Sequence, residues 1–164
     1  MRVVVDGGFC FLEAPWLTWA DVRYGLHKSF LSTQGVVDYA LFTLSEGSVP
    51  EHYELACAKG DDTVTVQQCL SRLSADVDLD DPLLLKIWLF LVLLWVFKNR
   101  INYSDPLRVL EGFYADFGYP EIVESAVRYM PAADGGSGSD DALFENWLGI
   151  LESLREELRA IRPS

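Results

Sequence analysis

The chain has 164 residues, half of them hydrophobic, and its formal net charge is -12 at pH 7. This length fits one domain of ordinary size, and so large an apolar fraction argues against a disordered chain. An acidic protein repels phosphate backbones and anionic lipid, so we expect no direct nucleic-acid partner and no membrane association. A basic protein is the kind of partner that this charge attracts.

The three cysteines are Cys10, Cys57 and Cys69. An odd number without paired spacing is not typical of a disulfide framework. Both Cys57 and Cys69 are predicted to be small core residues on helix faces. The N-terminus lacks a secretory pattern, because its run of three valines ends at an acid and two glycines. We therefore expect a cytoplasmic protein with reduced thiols.

Residues 1–16 are predicted to form an N-terminal arm whose conformation the pattern does not specify, since Gly7, Gly8 and Pro15 interrupt its apolar start. Residues 17–164 are predicted to form a single helical domain. Helix signals recur throughout this second range, beginning with a predicted capping box.

Four N-terminal signals divide the front half into helices. Thr18 and Asp21 form the first capping box, and Ser32 or Thr33 begins the next helix. The apolar stripe of that second helix is predicted to be Val36, Val37, Ala40, Leu41 and Leu44. A further capping box and helix are predicted from Ser48-Val49-Pro50-Glu51 to near Gly60, and the helix after it is capped by Asp61 or Asp62.

The segment 83–99 is almost entirely apolar, apart from Lys86 and its C-terminal end. A bilayer-spanning helix needs roughly 20 apolar residues, so this stretch is too short and instead predicts a central buried helix. The aspartate-rich segment Asp76–Asp81 and Pro82 precede it as a loop.

Three helices are predicted in the back half: one opened by Asp105-Pro106, one over about Glu121–Met130, and one over about Asp141–Ile161. The core face of the first is predicted to be Leu107, Leu110, Phe113, Tyr114 and Phe117. The face of the last is predicted to be Leu143, Phe144, Trp147, Leu148, Leu151, Leu154, Leu158 and Ile161. The Gly/Ser/Asp-rich stretch Pro131–Asp141 is predicted to be a mobile loop.

These elements predict an all-α fold, a compact bundle of about eight helices around the central hydrophobic helix 83–99. A solenoid of helical pairs is the alternative, but the chain has no convincing internal repeat to support one.

No pattern in the chain matches a standard catalytic or metal-binding motif. His27, His52, Cys57 and Cys69 do not have zinc-ligand spacing. Nor do Gly135–Gly138 form a phosphate loop, because a lysine does not follow them and aspartates surround them. We therefore expect a non-catalytic protein with no metal and no cofactor.

Two groups of residues are candidates for binding a partner. The first is the run of aspartates, which could form a negative patch for a basic partner: Asp76, Asp78, Asp80 and Asp81. The second mixes tyrosines with acids, a composition found at protein interfaces: Tyr103, Asp105, Asp116 and Tyr119. Capping and solvation are the alternative for the aspartates, and packing between helices is the alternative for the tyrosines.

Several strings resemble the DUF2247 family of bacterial proteins over about residues 17–131. In the front half they are Leu17-Thr18-Trp19-x-Asp21-Val22-x-Tyr24-Gly25-Leu26 and Val36–Ala40. In the back half they are Trp88–Leu91, Asn99-Arg100, Asp105–Leu107, Tyr114–Glu121 and Arg128–Pro131, of which the string Tyr114–Pro120 is the most specific. The last helix matches less closely.

The resemblance implies no enzymatic activity and no catalytic residues. It implies an association with polymorphic toxin and contact-dependent inhibition loci, where such proteins look like immunity proteins. We therefore expect the chain to bind and neutralise a cognate, basic toxin domain, such as a nuclease. The alternatives are an adaptor protein of another system and a helical domain that binds a small molecule.

Overall fold

The computed structural model describes residues 3–128 and 139–163, and over these ranges the fold is all-α, which confirms the predicted fold class. The α-helices are α1 (Gly7–Glu13), α2 (Trp19–His27), α3 (Thr33–Thr43), α4 (Pro50–Ala56), α5 (Thr63–Leu73), α6 (Pro82–Lys98), α7 (Pro106–Asp116) and α8 (Asp140–Ile161). Two 3-10 helices cover Arg100–Asn102 and Glu121–Ala126.

The described chain divides into two compact units, an N-terminal unit of residues 3–88 and a C-terminal unit of residues 89–163. The boundary falls within α6, so this helix contributes its first turns to one unit and the rest to the other. The single helical domain over residues 17–164 stays a prediction.

The N-terminal arm contains a helix that the sequence pattern concealed. Asp6 caps α1 by accepting hydrogen bonds from the backbone N–H groups of Gly8 and Phe9. The two glycines in the first turn look like helix breakers, but tertiary packing requires the first of them. A Cβ on Gly7 would overlap the backbone carbonyl of Gly35, so its absence lets α1 lie directly against α3.

The predicted start signals of α2, α3 and α5 are confirmed. Thr18 and Asp21 form the reciprocal capping box, with Asp21 Oδ2 accepting from Thr18 N at 2.8 Å. Ser32 caps α3 and Asp62 caps α5 through their side chains. The β-branched residues Thr63, Val64, Thr65 and Val66 that begin α5 are helical.

The predicted capping box of α4 is wrong. Val49 occupies the N-cap position and makes no side-chain cap, while Ser48 Oγ accepts a hydrogen bond from the backbone N–H of Ser45 instead. Ser48 therefore stabilises the turn that precedes α4 instead of capping the helix. The helix also ends at Ala56 rather than near Gly60.

Helix α6 is the predicted central hydrophobic helix. Its residues from Ile87 to Leu94 are all buried. Eight consecutive positions cover more than two turns, so the helix is enclosed on every side. In the N-terminal unit, its Trp88 stacks on Phe30 at 6.0 Å between ring centroids and donates from Nε1 to the Asp21 carbonyl at 2.9 Å.

The C-terminal unit confirms α7 with its full predicted core face and corrects the segment after it. A 3-10 helix replaces the α-helix predicted over 121–130, and Val127 already has an extended backbone. The β-branched Ile122, Val123 and Val127 favour this early end. The last two residues of that predicted helix lie outside the described ranges, as do residues 131–138 of the predicted mobile loop.

Helix α8 begins one residue earlier than predicted, after the Ser139 cap, and its apolar face is narrower than predicted. Leu148 and Ile161 are exposed, whereas Ile150, which the prediction omitted, is buried. Leu148 directly follows the buried Trp147, and one residue turns a helix by 100°, whereas Ile161 is the last residue of α8.

No helix in the described ranges is long and apolar enough to cross a membrane.

Candidate partner-binding surfaces

The predicted aspartates form an exposed loop between α5 and α6, here called the aspartate loop (Asp76–Asp81). Asp76, Asp78 and Asp80 are exposed, and Asp81 is half-buried. Two of the carboxylates also shape the loop, since Asp78 accepts from the backbone N–H of Asp80 and Asp81 accepts from that of Leu83, both at 2.9 Å. Capping and surface charge therefore coexist in the same four residues.

Arg23 on α2 fastens the start of the aspartate loop. Its guanidinium donates to the carbonyl of Ala75 at 3.1 Å and lies 3.4 Å from Asp76 Oδ1. An exposed pair of this kind is worth little in stability, but it restricts where the loop can lie. The negative charge of the aspartate loop acts on the nearby Tyr24. Burial raises the pKa of the Tyr24 hydroxyl, and the charges of Asp80, Asp81 and Asp78 raise it further.

The second predicted group partly converges on a groove in the C-terminal unit, here called the α7 groove. Its volume is about 900 Å³. It is lined by Asn102, Tyr103, Ser104, Asp105, Arg108, Val109, Gly112, Phe113 and Asp116. Tyr103, Asp105 and Asp116 therefore line one groove, and their role in binding a partner stays a prediction.

Tyr119 is not among the residues that line the α7 groove. It follows Gly118, and both residues have positive φ angles, of 60° and 76° respectively, which end α7 abruptly. Its ring packs edge-on against Tyr114 at 5.2 Å, yet the residue is 63% exposed. Tyr119 therefore contacts a neighbouring ring and also presents surface to solvent, and its role in binding a partner stays a prediction.

Asp105, which lines the α7 groove, is held by several hydrogen bonds. It caps α7, and its two oxygens accept from the Arg128 guanidinium at 2.9 Å each. These bonds, chiefly those from Arg128, hold the pKa of Asp105 below its ordinary value. The same arginine also reaches Asp140 at 3.4 Å, so one cation ties the start of α7 to the start of α8.

Arg108 and Gly112 are groove residues that the sequence analysis missed. Arg108 is exposed beside Asp105, and a Cβ on Gly112 would meet no atom within 4 Å. The available signal was an unexplained glycine in the middle of a helix, where glycine costs about 1 kcal/mol relative to alanine.

A third surface was also missed, here called the α1/α3 face (Phe11, Leu12, Leu41 and Phe42). Leu41 was predicted to be in the core but is exposed. The buried residues of α3 are Gly35, Val36, Val37, Tyr39 and Ala40, whereas Leu41 and Phe42 after them are both exposed.

The histidines and cysteines do not assemble into a metal site. His52 is buried, with Nε2 2.8 Å from the Ala40 carbonyl and its ring edge-on to Trp19. Cys69 is buried as predicted, whereas Cys57 is exposed as the C-cap of α4, so its predicted core position is wrong. Across residues 3–128 and 139–163, no cluster of three or more His, Cys, Asp and Glu side chains could hold a metal ion.

Comparison with known proteins yields one family. Residues 9–155 match DUF2247, whose members are described as uncharacterized proteins conserved in bacteria. Neither the curated proteins nor the solved structures include a match. The family match begins inside α1 and ends inside α8, so it is wider than the resemblance over 17–131. Because the matched region covers most of the 164 residues of the chain, the chain belongs to the DUF2247 family.

Proposed function

We propose that this protein is an immunity protein that binds a cognate toxin domain in the cytoplasm and neutralises it by covering its active or substrate-binding surface. The toxin domain is basic, as a nuclease that binds phosphate backbones is. The immunity protein performs no chemistry on it. A toxin domain is the partner that the family resemblance implies. The negative charge of the exposed aspartates supports the mechanism, in which they cover a basic surface of that domain.

The observation that carries the proposal is the exposed aspartate loop. Its carboxylates lie on a segment that Arg23 and backbone caps already hold in place. A preorganised group of charges loses little conformational entropy when a partner binds. Opposite charges on two proteins also accelerate their encounter, and acidic groups can occupy the positions that substrate phosphates would take.

The experiment begins with co-purification of this protein and the candidate toxin domain encoded beside it, followed by measurement of the mass, association rate and Kd of any complex. A stoichiometric complex with a nanomolar Kd, together with loss of toxin activity, is the expected result. If the domain is folded and toxic but does not bind, the proposal is wrong.

A double charge reversal locates the contact. Asp78→Lys with Asp80→Lys should slow association about tenfold or more, as expected for charges that steer a partner. The matched control is Glu152→Lys with Glu156→Lys on the exposed side of α8, which changes the net charge equally. Equal rates for the two variants would exclude the aspartate loop as the contact.

The α7 groove supports a second candidate function, the binding of a small molecule. Its size is within the range of ligand pockets, and Arg108, Asp116 and Tyr103 offer a cation, an anion and a hydroxyl. A thermal-shift screen against amino acids, short peptides and other metabolites tests it, because a ligand at 100 times its Kd adds about 2.7 kcal/mol of stability.

Gly112→Leu should abolish any such shift, since its side chain would project into open groove space. Gly149→Leu is the matched control, because this glycine is also exposed within a helix and also has nothing within 4 Å of an added Cβ. A shift that survives Gly112→Leu would place the ligand elsewhere.

A further inference from the structure

The α1/α3 face begins with an unusually close pair of helices. Gly7 lets the backbone of α1 touch that of α3, and this contact brings Phe11 onto Phe42. The two rings stack with centroids 5.7 Å apart and planes at 16°. A Cβ on Gly8 would lie only 3.3 Å from Phe42, so the second glycine also makes room for this ring.

Apolar side chains next to this stacked pair along α1 and α3 remain open to solvent. Leu12, next to Phe11, is 77% exposed, and Leu41 and Phe42 are 55% and 52% exposed. Single exposed apolar residues are ordinary, but neighbouring ones organised around a stacked aromatic pair are characteristic of a binding surface.

The sequence of α1, α3 and α4 carries acidic residues but no lysine or arginine. The same absence extends over residues 3–22 and 29–58, which include all three helices. The carboxylate of Asp6 caps α1 beside Gly8, and Asp38 lies against Gly7 at the seam. Glu13 follows Leu12 directly in the chain, and Glu46 follows Phe42 by four residues.

This combination restricts what can cover the face. A second copy would bring a second set of the same carboxylates against the first, and nucleic acid and anionic lipid are repelled for the same reason. A protein that presents an apolar anchor flanked by lysine or arginine satisfies both the apolar centre and the acidic rim.

We propose that the α1/α3 face is a docking surface for such a basic protein, with Leu12, Leu41 and Phe42 receiving the apolar anchor. The proposal rests on the proposed function in one respect, that the toxin domain is a partner with this chemistry. It adds a surface that is distinct from the aspartate loop and the α7 groove in the residues that form it.

The test compares two double variants that each remove two exposed apolar side chains. Leu12→Gln with Leu41→Gln alters the α1/α3 face, and Ile101→Gln with Leu148→Gln is the control in the C-terminal unit, where both residues are exposed. Circular dichroism and the unfolding midpoint establish that each variant is folded. Glutamine suits the helical positions because its helix propensity is close to that of leucine.

Two probes are used with these variants. The first is the toxin domain, for which the face variant should raise the Kd at least about tenfold, as the loss of anchor contacts does, and the control should leave it within about twofold. The second is a synthetic amphipathic helix of leucine and lysine. The changes that this peptide causes in the backbone amide NMR shifts of the protein should centre on Leu12, Leu41 and Phe42. They should be lost in the face variant.

The outcomes separate this proposal from the proposed function. Toxin binding that is unaffected by the face variant overturns the docking surface and leaves the immunity function standing. No toxin binding, but peptide shifts on the face that the variant removes, supports the docking surface and rejects the immunity function. Peptide shifts centred elsewhere, without toxin binding, overturn both.

Discussion

The three cysteines differ in environment. Burial, together with the charge of Asp6, raises the pKa of the Cys10 thiol to about 12, and burial also raises that of Cys69, with Glu54 contributing. Cys57 is exposed at the end of α4. Since the thiolate is the reactive form, only Cys57 should react rapidly with a thiol reagent in the native protein.

A colorimetric thiol titration near pH 8 checks this expectation. One equivalent should react quickly in the native protein and three in denaturant, and Cys57→Ser should remove the fast phase. A fast reaction of two equivalents would mean that α1 or α5 opens far more readily than its burial implies.

Asp105 makes the stability of the C-terminal unit depend on pH. A carboxyl whose pKa is lower in the folded than in the unfolded state stabilises the fold above its unfolded pKa, and the contribution is lost as the pH falls through the folded pKa. Asp105→Asn keeps an oxygen that can cap α7 but removes the charge that Arg128 contacts.

Urea unfolding at a series of pH values should therefore show the wild type more stable than Asp105→Asn at neutral pH. The difference should shrink as the pH falls below the ordinary pKa of an aspartate and vanish below the lowered pKa of Asp105 in the folded state. Arg128→Gln should lose the same extra stability at neutral pH, because it removes the cation that contacts Asp105. A gap between wild type and Asp105→Asn that is equally large in acid would assign the effect to capping rather than to charge.

At the scale of the element, the capping box of α2 is the clearest local signal in the chain. Thr18 Oγ1 accepts from the backbone N–H of Asp21 at 3.2 Å, and the Asp21 carboxylate accepts from the backbone N–H of Thr18. Thr18→Ala should cost about 1 kcal/mol of unfolding free energy, whereas Thr18→Ser, which keeps the hydroxyl, should cost much less. Equal losses in urea unfolding would show that the methyl group, not the cap, is what matters.

Two helical glycines should respond to alanine in opposite directions. A Cβ on Gly25 of α2 would overlap the Trp88 indole, so Gly25→Ala should destabilise the protein by about 1–3 kcal/mol or more. Gly112→Ala meets open space and should stabilise α7 by up to about 1 kcal/mol through helix propensity. Thermal unfolding of the two variants measures both signs, and a neutral Gly25→Ala would mean that Trp88 can move aside.

At the scale of the whole molecule, the net charge of -12 governs how fast a basic partner arrives. Opposite charges steer association, and salt screens them over a Debye length of about 8 Å at 0.15 M ionic strength. The association rate with the toxin domain should therefore fall as salt is added, and Asp78→Lys with Asp80→Lys should flatten that dependence more than the α8 control pair. A rate that does not change across the salt series would remove electrostatic steering from the mechanism.

The sequence by itself determined features that depend on neighbours along the chain. Caps at Thr18, Ser32, Asp62 and Asp105 need only a side-chain oxygen three residues before a backbone N–H at the start of a helix. The run of apolar residues in α6 leaves the helix without a polar side, which predicts that it is buried. The all-α class follows from these signals, as does the exposure of the aspartate loop, because that many carboxylates cannot be buried together.

Only the tertiary structure decided where helices touch and which apolar residues stay outside. Helix α1 lies directly against α3 because Gly7 has no side chain to hold the two backbones apart. Leu41 and Leu148 are exposed because the helix that carries each of them is covered on one side only. Tyr103, Asp105 and Asp116 share a groove because α7 and the chain before it fold onto each other. These relations join residues through space, and a helical period carries no information about which neighbour will cover a given face.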